Sequence, residues 1–234
     1  MWLGMTEQSP HSIPDTPGDA AASKEPSPSH VSLSGSAAVD RAAEEWKESA
    51  HRNIPGFGDL PIPDDTANLR EGPSLHDGLL ALLPLVGVWR GTGQKPLEDD
   101  TIVNFGQQLI IAHDGEKYLT YESRMWDLDA EGNATGLDQR ETGFWRINAK
   151  DEIELVIASS LGAVEIMYGQ PLNERAWELE SASTMVTATG PASLGAGKRL
   201  YGLMPNNNLG WVDERMVDGE LKPRMSAELR RVMG

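Results

Sequence analysis

The sequence predicts an all-β protein: an up-and-down antiparallel β-barrel of about ten strands, preceded by a tail and short N-terminal helices. Three observations predict it. Ten short β-rich runs succeed one another at regular spacing, from VGVWRGTGQ, TIVNFGQQLIIAH and KYLTYESRMWDL to LGWVDERMV and LKPRMSAELRRV. Turn signals such as HDGEK, DAEGNAT, PNNN and VDGE punctuate them, and Asp114-Gly115 and Asp218-Gly219 suit tight hairpins because glycine tolerates positive φ. Several runs alternate by twos: Ile153, Leu155 and Ile157 share one side and Glu152 and Glu154 the other, so one face is buried and one wet. No helical stretch separates the runs, and closing the sheet removes its exposed edges.

In chain order, residues 1–35 carry Ser, Pro, Ala, Gly and Asp with few large apolar side chains. They cannot bury enough surface to offset their ordering entropy and are expected to form a disordered tail. Residues 36–74 read as a helix and linker. Ser36 is the N-cap of an acidic helix to Arg52, with Ala38, Ala42, Trp46 and Ala50 forming an i, i+4 stripe and Trp46 a packing anchor. The turn-rich NIPGFGDLPIPDDTANL is expected to lie along the surface of the barrel. The barrel domain covers 75–234, opening with apolar turns from Leu75 to Leu83 that Pro84 stops.

Composition excludes several functions. A formal charge of −16 and a pI near 4.6 repel nucleic acid and anionic membranes. No run of about 18 apolar residues occurs, so membrane insertion is not expected. MWLGMTEQSP lacks the basic and apolar regions of a signal peptide, and zero cysteines fits a reducing compartment. A cytoplasmic protein is expected.

GVWRGTG resembles a phosphate loop only in its glycine content. Gly87, Gly91 and Gly93 share one strand face with Trp89, and more strand comes next where a dinucleotide fingerprint requires a helix. Small residues on one side let another chain segment approach closely, so the motif reads as a bent first strand. GAGKR lacks the first glycine and the Ser/Thr of a Walker loop. His113, the one histidine within the barrel, borders an Asp-Gly turn and reads as a solvated turn residue. Carboxylates are too abundant to single out an acid/base pair, and no catalytic residue is assigned. A barrel without catalytic signatures most simply holds a small apolar molecule.

Over about residues 75–232 the chain resembles the nitrobindin family, small barrels related in shape to fatty-acid-binding proteins. The resemblance rests on GVWRGTG, AHDGEKYLTYESRMWDL, ETGFWRI, EIELVIASSLGAVEIMYG and LKPRMSAELRRV. It implies a ferric haem b held by a histidine on the last strand, with nitric oxide binding and peroxynitrite isomerisation. In this chain Arg224 takes that histidine's position, and Gln139 stands where some members have another histidine. Arginine stays protonated and offers iron no lone pair. Met225 is a thioether, but strand alternation predicts that it points away from the side occupied by residue 224. The chain is thus most similar to the ferric nitrobindin-like branch that lacks the ligand.

Two functions are compatible with these readings. The first is a barrel without haem that binds a small hydrophobic or amphipathic, fatty-acid-like ligand, with Thr101, Gln139, Arg224 and Met225 as candidate ligand-binding residues. Arg224 would favour an anion there, or pair internally with an acidic side chain in a closed cavity. The second is a haem-binding peroxynitrite isomerase with non-standard ligation. A partner recruited by the tail, and a homodimer, remain open alternatives.

Overall fold

The computed structural model describes residues 61–97, 99, 101–191 and 194–234, together with Ala37, Val39, Asp40, Arg41, Ala43 and Glu44, which are helical. The expected tail 1–35, the Ser36 cap, Trp46 and the rest of the Ala stripe lie outside the described residues.

Ten strands form one closed antiparallel barrel: β1 (Gly87–Pro96), β2 (Ile102–Ala112), β3 (Leu119–Leu128), β4 (Ala134–Ile147), β5 (Ile153–Ser159), β6 (Ala163–Asn173), β7 (Ala176–Val186), β8 (Gly197–Leu203), β9 (Leu209–Val217) and β10 (Glu220–Met233). Each pairs with its chain neighbours, and β1 pairs with β10 to close the ring, Gly91 facing Leu229 on one side and Gln107 on the other. Asp218 and Gly219 both take positive φ in the β9–β10 hairpin, as a two-residue primed turn requires.

One end of the barrel is apolar. Trp89, Trp145, Trp177, Tyr201, Leu209 and Leu229 fill it, and Leu79, Leu82 and Leu85 of a 3₁₀ helix, Asp77–Leu85, close it. Three side chains pin that helix by its carbonyls. Trp89 Nε1 donates to Leu85 O at 2.9 Å, Trp177 Nε1 to Ala81 O at 2.8 Å, and Arg231 donates to Pro84 O and Val86 O at 2.7 Å each. The Arg231 guanidinium also lies over the Trp89 ring, 4.2 Å from its centroid. Pro84 does not stop the helix as the sequence suggested. It sits inside the last turn, where its missing N–H leaves no donor unpaired and Val86 N caps the turn on Leu83 O at 3.2 Å.

His113 corrects a second expectation. It is fully buried, because the linker crosses it: Thr66 and His113 exchange backbone hydrogen bonds at 2.7 and 2.9 Å, and Asp65 accepts from Thr120 Oγ1 at 3.1 Å. The described part of the linker thus runs along the barrel, as expected. Among the described residues no helix is long and apolar enough to cross a membrane.

Candidate functional site

The other end of the lumen is charged, and strand alternation places the charges. Inward positions of β9 run Leu209, Trp211, Asp213, Arg215, so the apolar face continues into charge within one strand. The same transition occurs from Trp145 to Glu141 on β4, from Met167 to Glu165 on β6 and from Tyr201 to Arg199 on β8. All of these side chains are buried.

Asp213 is the hub. Its Oδ1 accepts from Arg199 Nε at 3.1 Å and Arg215 Nη2 at 2.8 Å, and its Oδ2 from Arg215 Nε at 3.0 Å and Arg224 Nη1 at 3.2 Å. Arg199 reaches across to Glu141 with two bonds of 3.2 and 2.9 Å, in the bidentate geometry that makes such pairs strong. Glu141 also accepts from Tyr121 Oη and Gln139 Nε2, both at 2.9 Å. Arg215 grips Glu165 with bonds of 2.6 and 2.9 Å, and Ser181 and Thr184 donate to the same carboxylate.

Burial alone would raise the carboxyl pKa values, but the guanidiniums outweigh it. Glu141 stays below the usual range because of Arg199, and Asp213 because of Arg199 and Arg215. Burial pushes the Tyr121 hydroxyl well above its ordinary value, and the Glu141 charge adds to the rise. Both carboxylates are therefore ionised and Tyr121 neutral at pH 7.

Arg224 differs from the other two arginines. A β-bulge between Pro223 and Met225 interrupts the β9–β10 register. Met225 faces the core, contrary to the orientation expected from alternation, and Arg224 reaches Asp213 from the mouth with its side chain 33% exposed. Its Nη1 also lies 3.7 Å from Met225 Sδ. Among the described residues, Nε and Nη2 of Arg224 have no acceptor. Arg224 lines a cavity of about 20 Å³ together with Gln139, Glu141, Glu165, Arg199 and Arg215, beside Leu161, Pro191 and Leu194. That is room for about one water.

Of the residues singled out from sequence, Gln139, Arg224 and Met225 come together here, and Thr101 does not. Thr101 is exposed in the β1–β2 turn, where its N–H donates to Asp99 at 3.0 Å. Gly87, Trp89, Gly91 and Gly93 serve the β1–β10 seam: a Cβ on Gly91 would lie 2.0 Å from Glu228 O, and one on Gly93 2.3 Å from Ser226 O. Sequence reasoning missed Glu141, Glu165, Arg199, Asp213 and Arg215. Their signal was inward parity with buried aromatics, Asp213 two residues after Trp211 and Arg199 two before Tyr201. Among the described residues no three His, Asp or Glu side chains form a metal site.

Residues 78–231 match the family described as the THAP4-like, heme-binding β-barrel domain. The chain belongs to this family, the nitrobindins. A Corynebacterium diphtheriae relative named ferric nitrobindin-like protein is 75% identical over 87% of this chain and 91% of its own length. A nitrobindin relative in Mycobacteroides abscessus, named peroxynitrite isomerase, is 51% identical over 83% of this chain and 98% of its own. Among solved structures, the crystal structure of Rv2717c from M. tuberculosis is similar to this nitrobindin barrel with a TM-score of 0.58 and 28% identity, covering 68% of this chain and 99% of that one.

Proposed function

We propose that this chain is a nitrobindin-family barrel that has given up histidine–iron ligation. In its place it binds a small amphipathic anion, fatty-acid-like in having a carboxylate and an apolar tail, at the Arg224 mouth. One observation carries the reading: Arg224, which the resemblance places at the histidine position, bonds one carboxylate among the described residues, Asp213, and keeps its side chain 33% exposed. A guanidinium with free, partly desolvated donors favours a carboxylate or similar oxyanion. Leu161, Pro191 and Leu194 beside it offer apolar contact for a tail.

The residues at this end do not fit a haem iron. The nitrogens are guanidiniums and an amide, without the neutral imidazole lone pair that iron takes from histidine, and the Met225 thioether, although it faces the core, has the Arg224 Nη1 cation 3.7 Å from its sulfur. Each of the three carboxylates already accepts four hydrogen bonds.

Displacement of a fluorescent fatty-acid probe tests the reading, comparing a medium-chain fatty acid with its methyl ester, and wild type with Arg224→Gln. The acid should displace the probe from wild type at least tenfold better than the ester, and Arg224→Gln should abolish that preference. Absence of saturable probe binding by wild type refutes the reading.

The second reading is a haem-dependent peroxynitrite isomerase, favoured by the name of the Mycobacteroides abscessus relative. Hemin titration decides it: a saturable 1:1 Soret shift supports it, and a spectrum identical to free hemin refutes it.

A further inference from the structure

We propose that the buried ionic network, and not residue 224 alone, excludes iron porphyrin from this barrel. The network is the lumen's built-in occupant. This goes beyond the loss of one ligand, because it makes a set of residues on five strands responsible for the exclusion.

The bonds run across the lumen rather than along its wall. Arg199 on β8 holds Glu141 on β4, four places round the ring, and Arg215 on β9 holds Glu165 on β6, three places round. Asp213 joins the two bridges through Arg199 and Arg215. With Arg224 the set contains three cations and three anions, each paired with a protein group of opposite charge. Each carboxylate already accepts four hydrogen bonds, which turning toward a metal would break. The free space beside it is about 20 Å³, against the roughly 300–1,000 Å³ of clefts that hold cofactor-sized ligands. A histidine restored at position 224 would meet the same bridges behind it.

Hemin titration of engineered variants, followed by the Soret band and separately by thermal melting without hemin, tests this. Arg224→His changes a side chain that is one-third exposed, so it should fold like wild type. Its spectrum should match free hemin, without a 1:1 end point. Adding Arg215→Ala and Glu165→Ala removes one cation, one anion and one cross-lumen bridge while leaving the net charge unchanged. That triple variant should titrate to a 1:1 end point and bind at least tenfold tighter than Arg224→His. Should the alanine pair fail to melt cooperatively, Arg215→Leu with Glu165→Val in the same background takes its place. A 1:1 Soret band in Arg224→His alone overturns the proposal and leaves the ligand-loss reading intact. A folded triple variant that behaves like Arg224→His overturns it as well. A 1:1 band in wild type overturns both this proposal and the ligand-loss reading.

Discussion

Asp213→Asn is the sharpest test of the charged end of the lumen. The substitution keeps the size of the side chain but removes the charge that Arg199, Arg215 and Arg224 share. Arg199 and Arg215 keep their bidentate partners Glu141 and Glu165, so neither is stranded. Even so, a buried set that balanced at three against three becomes three cations against two anions. Breaking a buried ion pair from one side typically costs about 3–5 kcal/mol. Total stabilities are about 5–15 kcal/mol, so the loss would be a large share of the whole. Urea unfolding at pH 7, followed by circular dichroism, should show the midpoint falling with an unchanged slope. The control is Glu122→Gln, which disrupts the surface pairs with Arg124 and Arg140. Those pairs are partly exposed and should cost no more than about 1 kcal/mol. If Asp213→Asn costs as little as Glu122→Gln, the network is not dry and the account of the lumen is wrong.

Gly91→Ala drives a Cβ into the Glu228 carbonyl at the barrel seam and should cost about 2–3 kcal/mol or more, whereas Gly136→Ala, with nothing within 4 Å, should be near neutral; thermal melts compare them. Trp89→Phe removes the bond to Leu85 O and should cost about 1–2 kcal/mol, with amide exchange accelerated in Asp77–Leu85 ahead of the strands. His113 is buried with neither ring nitrogen hydrogen-bonded among the described residues, and burial lowers its pKa despite Asp114 and Asp65. The unfolded chain therefore binds the proton more readily. Stability should begin to fall as pH drops below the ordinary histidine value near 6.5, and His113→Leu should flatten the melting-temperature profile there. Glu141 and Asp213 have lowered pKa values, so their contribution is present above the ordinary carboxylate range and is lost at still lower pH. The two losses should separate along one pH titration.

The strand count and the barrel were legible because turn chemistry and period-two alternation are local signals, and Asp218-Gly219 alone specifies its hairpin. Position 224 was legible as a departure from a motif. The bulge that lets Arg224 and Met225 both turn toward the barrel was not, because an extra residue in one strand depends on the partner strand. His113 was misread for a related reason: its burial comes from Thr66, far away in sequence. The ionic network was half legible. Charged residues in phase with Trp211 and Tyr201 mark an inward face, but the pairing of β8 with β4 across the lumen exists only once the ring has closed.

Closure of that ring depends on β10, the last of the ten barrel strands in chain order. Until then β1 presents an unpaired edge and Asp213 lacks its bond from Arg224. The first strand's free edge is therefore paired only when the tenth is in place. A truncation that removes β10 would leave a sticky sheet rather than a smaller barrel.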